Sequence, residues 1–128
     1  MDKPYPSGLK TTFLIHAIIA LIFGLANLLV PQMWNTLTGT KIVDYNIFRL
    51  LGAAILAFGL SSWLAYRAKS WESVSILLQM EILWTILATL IFVYYQVRRG
   101  FPPIYWVNAL IMAAFAVAFI YFYWKRKE

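Results

Sequence analysis

The 128-residue chain contains no cysteine, a single histidine and only 12 % charged residues. The missing cysteine excludes disulfides, thiol catalysis and thiolate metal sites, and one histidine cannot form a haem ligand pair or a zinc site within one chain. The sequence also lacks a P-loop, a zinc motif, a glycine-rich dinucleotide turn and any sign of a Ser–His–Asp arrangement. We therefore expect no metal site and no cofactor.

Apolar residues take the place of the missing charges. They make up 62 % of the chain, compared with roughly 45–50 % in soluble domains. A soluble core of this size could not hide so much apolar surface, whereas a bilayer accepts it. The net charge is +6, and the charges cluster between apolar blocks, which is typical of basic loops facing anionic lipid headgroups and not of a nucleic-acid-binding patch. We predict an integral membrane protein that contacts lipid and binds no nucleic acid.

Four segments are long and apolar enough to span a bilayer as helices, which takes about 20 residues each. They cover residues 9–30, 47–66, 74–95 and 104–124. Helices are expected because open strands cannot satisfy their backbone groups in lipid. The prediction is a single all-α domain over residues 1–128, a bundle of four transmembrane helices. The polar segment 31–46 is predicted to hold a short interfacial helix or a small lid.

The distribution of basic residues predicts the orientation. With four spans, both termini and the loop between the second and third helices share one side of the membrane. Seven of the eleven basic residues are on that side, namely Lys3, Lys10, Arg67, Lys69, Lys125, Arg126 and Lys127. The other side carries Lys41, Arg49, Arg98 and Arg99. The positive-inside rule therefore predicts cytoplasmic termini, and the cell membrane is the expected location.

The stretch LLQMEILWTIL places a carboxylate, Glu81, inside an apolar segment. An ionised carboxylate in hydrocarbon is costly, so it needs a partner or must remain protonated. His16 lies at a comparable depth in the first helix, Thr85 continues the face of Glu81, and Trp84 offers an aromatic wall. We therefore predict a ligand-binding site formed by Glu81, His16, Trp84 and Thr85.

A structural role for Glu81 is the alternative. Ser61 and Ser62 of the second span and Tyr121 of the fourth are expected at the same depth. A hydrogen bond from Glu81 to His16, a serine or a tyrosine would fix the helix register. A shallow position near headgroup water would also satisfy the carboxylate.

A second polar layer is predicted toward the opposite side, with Asn27, Arg49 and Asn108. Arg49 is most simply an interfacial anchor or a partner of Asp44, and an anion-binding role is the alternative. An apolar middle separates this layer from Glu81.

Two stretches, GLANLLVPQMWNTLTG and NIFRLLGAAILAFGLSSWLAYR, resemble the first half of small four-helix membrane proteins of the DoxX-like group and related families. The matching positions are Gly24, Pro31, Gly39, Arg49, Gly52 and Gly59. The resemblance implies a four-helix membrane fold and little about activity, since fold analogy is a weak warrant for function. Some members are linked to quinone-dependent oxidation, but this sequence shows no set of redox ligands.

Three functional hypotheses remain open. The leading one is binding, with transport as its extension, of a small lipophilic or cationic molecule around Glu81, because acid and aromatic rings both attract a lipophilic cation. The second is a structural or accessory subunit that docks another membrane protein through its small-residue faces. The third is an enzyme that modifies a lipid or sterol-like substrate with Glu81 and His16 as acid and base. A homodimer is expected because four helices enclose only a narrow cavity.

Overall fold

A computed structural model describes residues 5–41 and 44–127 of the chain. Lys3, used above to predict the orientation, lies outside the described residues, and so does the side chain of Lys127. The described part contains five helices and no strand. They are α1 (Ser7–Leu29), α2 (Pro31–Thr38), α3 (Tyr45–Arg67), α4 (Trp71–Arg99) and α5 (Ile104–Lys127).

Four of these helices, α1, α3, α4 and α5, are long and apolar enough to cross a membrane. The predicted all-α fold with four transmembrane helices is confirmed. The helix α4 is longer than the predicted span 74–95, with 29 residues, or about 43 Å at 1.5 Å per residue. That length exceeds the roughly 30 Å of a hydrocarbon core.

Local sequence signals set the helix ends. Ser70 caps α4 by accepting a hydrogen bond from the Ser73 backbone N–H at 3.3 Å, as N-cap serines do. Asp44 caps α3 in the same way through the N–H of Asn46, at 2.9 Å. Gly100 ends α4 in the left-handed region with φ 59°, a conformation that glycine adopts at little cost.

The short helix α2 corresponds to the interfacial helix predicted within segment 31–46. Pro31 occupies its first turn, where the missing N–H of proline does no harm. Gly39 ends it with φ 69°. The tilt between α1 and α2 brings Trp34 against Phe23, with ring centroids 5.2 Å apart in an edge-on arrangement. This contact folds α2 back over the bundle.

The transmembrane helices are arranged as two pairs, α1 with α3 and α4 with α5, and the contacts between the pairs are fewer than those within them. Glycines bring α1 and α3 together. A Cβ added to Gly52 would lie 2.7 Å from the Leu28 backbone nitrogen and 2.8 Å from the Gly24 carbonyl oxygen. Only glycine permits backbones to approach this closely, as in small-residue contacts of membrane helices.

We call the inner end of the bundle the end where α1 and α4 begin and α3 and α5 finish. The well-packed core lies there. Its fully buried side chains include Leu9, Phe13, Val74, Leu78 and Phe119. The Tyr5 hydroxyl donates a hydrogen bond to the Ala65 carbonyl oxygen and so joins the chain preceding α1 to the end of α3. The opposite, outer end carries α2 and is less densely filled.

Candidate functional site

Three polar side chains meet in the interior of the bundle, and we call His16, Ser62 and Glu81 the polar cluster. His16 Nδ1 lies 2.7 Å from Ser62 Oγ, and the Ser62 hydroxyl donates to Glu81 Oε1 at 3.1 Å. His16 Nε2 lies 3.6 Å from Glu81 Oε2. Ser62 and Glu81 are 0 % exposed and His16 is 3 % exposed. The cluster therefore joins α1, α3 and α4 away from solvent.

The hydrogen-bond directions indicate where the protons of the cluster lie. Ser62 has one hydroxyl proton and donates it to Glu81 Oε1, so His16 Nδ1 must be the donor to Ser62 Oγ. His16 Nε2 then faces Glu81 Oε2. Two bare acceptors at this distance would repel each other, so the contact is favourable when one proton resides on either atom.

Thr85 lies one turn beyond Glu81 and is also fully buried. Its hydroxyl donates to the backbone carbonyl of Glu81 at 2.7 Å. This back-bonding satisfies the hydroxyl within α4. Thr85 thus continues the buried face of Glu81, as its spacing predicts, while its own hydrogen bond goes to the backbone and not to the carboxylate.

A cavity of about 150 Å³ lies on the outer side of the polar cluster, between the two helix pairs. Most of its wall is apolar or aromatic, including Phe23, Trp34, Phe48, Phe58, Trp84 and Phe92. His16 and Phe115 border it toward the inner end, and Asn27, Thr38 and Asn108 border it toward the outer end. The distance along α1 from His16 to Asn27 is about 16 Å by helix rise. The cavity therefore connects the two predicted polar layers.

Of the four residues predicted to bind ligand, the structure places two on the cavity wall. His16 and Trp84 line the cavity, and Trp84 stacks on Phe58 with ring centroids 4.9 Å apart. Glu81 and Thr85 do not form part of the wall. Glu81 is connected to the cavity through His16, which touches both. A molecule in the cavity would therefore meet the imidazole before the carboxylate.

The structure places the three residues of the predicted outer polar layer in two different surroundings. Asn27 and Asn108 both line the cavity. Arg49 is exposed, lies outside the cavity wall and forms no ion pair with any described residue, Asp44 included. Asp44 instead caps α3. Of the two simple interpretations of Arg49, the pairing with Asp44 is not formed, and its exposed position agrees with the interfacial anchor.

One further expectation needs correction. Tyr121 does not face Glu81, because its side chain is 55 % exposed and its ring lies under Lys125 Nζ at 5.6 Å. Trp34, which follows the end of α1, lines the cavity. The proline at position 31 signals a break after α1, but the fold-back of α2 that carries Trp34 inward has no signal in the sequence.

The fold and the site define a helical integral membrane protein with a partly open, largely apolar cavity that ends on a buried acid–imidazole cluster. The chain matches no family model, no curated protein and no solved structure. The DoxX-like resemblance consequently stays a prediction, and the function has to be argued from the cavity and the cluster.

Proposed function

We propose that this protein binds a small lipophilic molecule in the cavity between its two helix pairs. The observation that carries the proposal is the cavity itself, about 150 Å³, partly open at its boundary and lined mainly by aromatic and aliphatic side chains. Protein interiors are normally packed to the density of organic crystals, so a void of this size has a cost. An apolar cavity of about 150 Å³ is large enough to accept a molecule the size of one aromatic ring.

The wall favours an uncharged molecule over a cation. None of the described wall residues carries a carboxylate, and Glu81 is reached only through His16. A full charge in an apolar enclosure would lose its hydration without gaining a direct counter-charge. The aromatic wall also offers edge-to-face and stacked contacts to a ring. We therefore narrow the lipophilic or cationic ligand of the sequence prediction to an uncharged one.

The polar cluster is the inner boundary of this site. Its hydrogen bonds fix the orientation of the His16 ring, which is also held edge-on by Phe115 at 4.8 Å between centroids. A fixed ring gives the cavity a rigid floor. In this proposal Glu81 positions His16 and does not touch the ligand. The enzymatic alternative uses Glu81 and His16 as acid and base, and Glu81 is fully buried behind the wall while His16 lines it.

Further elements of the proposal concern the setting of the site. We place the protein in the cell membrane with both termini cytoplasmic, supported by the excess of basic residues on that side. Transport is the extension of binding, by passage of the molecule past α2 toward the outer side. We also propose that the protein forms a homodimer and that it belongs to the DoxX-like group. The mass of the detergent-solubilised protein tests the oligomeric state.

The test of binding uses ¹⁹F NMR of 4-fluorotoluene with the purified protein in detergent. Met112 lines the cavity, whereas Leu110, two residues earlier on the same helix, is 72 % exposed. Met112→Trp fills the cavity, and Leu110→Trp makes the same change on the lipid-facing surface. We expect saturable binding to the wild type and to Leu110→Trp, and an affinity lower by about tenfold or more in Met112→Trp.

Equal ¹⁹F signals in all three proteins would mean that the probe only partitions into the micelle. That result would refute the proposed binding site. A loss in Leu110→Trp as large as that in Met112→Trp would refute it as well, because the effect would then not depend on filling the cavity.

A further inference from the structure

The polar groups at the outer end of the cavity differ in whether they already have hydrogen-bond partners. Asn27 Nδ2 donates to the Phe23 carbonyl oxygen at 2.8 Å, and the Thr38 hydroxyl donates to the Trp34 carbonyl oxygen at 2.9 Å. Asn108 Oδ1 is buried and accepts no hydrogen bond from any residue that the structure describes. The Asn27 amide nitrogen and the Thr38 hydroxyl thus donate within the chain's own helices, whereas the buried Asn108 oxygen has no partner among the described residues.

Buried polar atoms without a partner are uncommon, because each loses its hydration with nothing in return. The described part of the chain has a few others, on Asn35, Glu81, Gln96 and Arg126. None of these four residues lines the cavity, so Asn108 combines an unpartnered oxygen with a place on the wall. A carboxamide carries both an acceptor and two donors and can rotate about its last torsion. Asn108 can thus meet a hydroxyl or N–H group brought by a ligand.

The surroundings of Asn108 fit the rest of such a molecule. Asn108 lies in the second turn of α5, after Tyr105, and the Tyr105 ring packs edge-on against Phe92 of α4 at 5.6 Å. Phe92 and Tyr105 line the cavity together with Trp34. At the other end, both ring nitrogens of His16 face the polar cluster. The unpartnered oxygen of Asn108 thus lies at the outer end of the cavity, next to aromatic rings.

We propose that the cavity recognises a small aromatic molecule with one hydroxyl or N–H donor, and that Asn108 accepts the hydrogen bond from that donor. This inference rests on the proposed function, since it names the chemical class of the bound molecule. The phenol class has the required parts, one ring for the aromatic wall and one donor for the amide oxygen.

The test compares two probes that differ only in the donor, 4-fluorophenol and 4-fluorotoluene, by ¹⁹F NMR in the same detergent. The measured quantity is the ratio of their affinities in wild type and in Asn108→Leu. Partitioning into the micelle is the same for both proteins, so it cancels when the two ratios are compared. The matched control is Gln96→Leu, which removes another carboxamide with an unpartnered oxygen, but one outside the cavity wall.

A buried neutral hydrogen bond corresponds to a factor of about three to ten in affinity. We expect Asn108→Leu to reduce the preference for 4-fluorophenol by that factor, and Gln96→Leu to leave the preference unchanged. The affinity for 4-fluorotoluene should persist in Asn108→Leu, which also shows that the variant keeps its cavity.

The outcomes separate this inference from the proposed function. If 4-fluorotoluene binds and the ratio is the same in Asn108→Leu and in wild type, the role of Asn108 is refuted and the cavity remains a binding site. A ratio that falls equally in Gln96→Leu also refutes it. If neither probe binds saturably to the wild type, the proposed function and the inference fail together.

Discussion

Ser62 is the residue through which the polar cluster can be tested most directly, because it touches both other members. It is fully buried, lies 2.7 Å from His16 Nδ1 and donates to Glu81 Oε1 at 3.1 Å. The substitution Ser62→Ala removes one oxygen and little volume. The neighbouring residue Ser61 is half-buried and forms no side-chain hydrogen bond within the described residues, so Ser61→Ala is a matched control in the same turn.

The expected loss follows from the two hydrogen bonds. A typical intramolecular hydrogen bond contributes about 0.5–1.5 kcal/mol net, and side-chain hydrogen bonds between membrane helices average about 0.6 kcal/mol. Ser62→Ala breaks two and leaves Glu81 without a hydrogen bond on either oxygen, since Oε2 already lacks one. We expect the free energy of unfolding to fall by about 1–3 kcal/mol. For Ser61→Ala we expect a change within about 0.5 kcal/mol.

The assay is unfolding of the detergent-solubilised protein by increasing mole fractions of sodium dodecyl sulfate, followed by tryptophan fluorescence. The double variant Ser62→Ala/Glu81→Gln measures the coupling between the two side chains, which for residues in contact is about 0.5–3 kcal/mol. If Ser62→Ala and Ser61→Ala unfold at the same point, the cluster does not stabilise the bundle. Its role as a rigid floor of the cavity would then have no energetic basis.

Two further predictions concern the packing and the inner end of the bundle. Gly52→Ala should destabilise the protein by about 1–3 kcal/mol in the same unfolding assay, as overpacking does, because its Cβ would meet backbone atoms of α1 at 2.7 and 2.8 Å. Gly59→Ala should cost less, since its Cβ would meet the Cβ of Ala20 at 3.0 Å, and equal losses would contradict the close backbone approach. The pKa of Tyr5 is raised from 10.0 to about 12, mainly by burial and to a smaller extent by the nearby Tyr66. Because the folded-state pKa is raised, the stabilisation by Tyr5 is complete below pH 10 and is lost as the pH rises through 12. The unfolding free energy of Tyr5→Phe should fall less over this pH range than that of the wild type, and parallel curves would contradict the assignment.

The transmembrane helices were predictable because membrane thickness imposes a strong requirement on sequence. A segment of about 20 apolar residues has few alternatives to a spanning helix. The helix bounds were less accurate, and α4 extends from residue 71 to 99 where hydropathy predicted 74–95. Hydropathy reports where the chain meets hydrocarbon, whereas the helix continues until capping signals stop it. In α4 those signals are Ser70 and Gly100.

The sequence predicted how deep the site residues lie along their helices, but not the directions in which their side chains face. Residue counting along the helices places His16 and Glu81 at comparable levels, and they lie 3.6 Å apart. Counting cannot give the rotation of each helix about its axis or the identity of its neighbours. Tyr121 has a suitable depth on α5 but faces outward. The consecutive helices α3 and α4 make fewer contacts than α1 and α3, which are separated by α2. No sequence spacing encodes that difference.

The structural and the functional interpretations of Glu81 can both hold, because the cluster explains where the cavity forms. Within the pair α1 and α3, Gly24 and Gly52 bring the backbones together and leave little free space. Between the pairs, large rings such as Phe58 and Trp84 act as spacers. In hydrocarbon there is no hydrophobic force to close such a space, so only close packing and polar contacts draw the pairs together.

At the inner end both kinds of contact are present. The polar cluster joins α4 to the pair α1 and α3, and Phe13 packs on Phe119 with centroids 5.2 Å apart. At the outer end Asn108 accepts no hydrogen bond from the described residues, so a corresponding polar contact from its amide oxygen is missing. The pairs are therefore held together on one side of His16 and remain separated on the other, and a molecule with one donor would supply the missing contact.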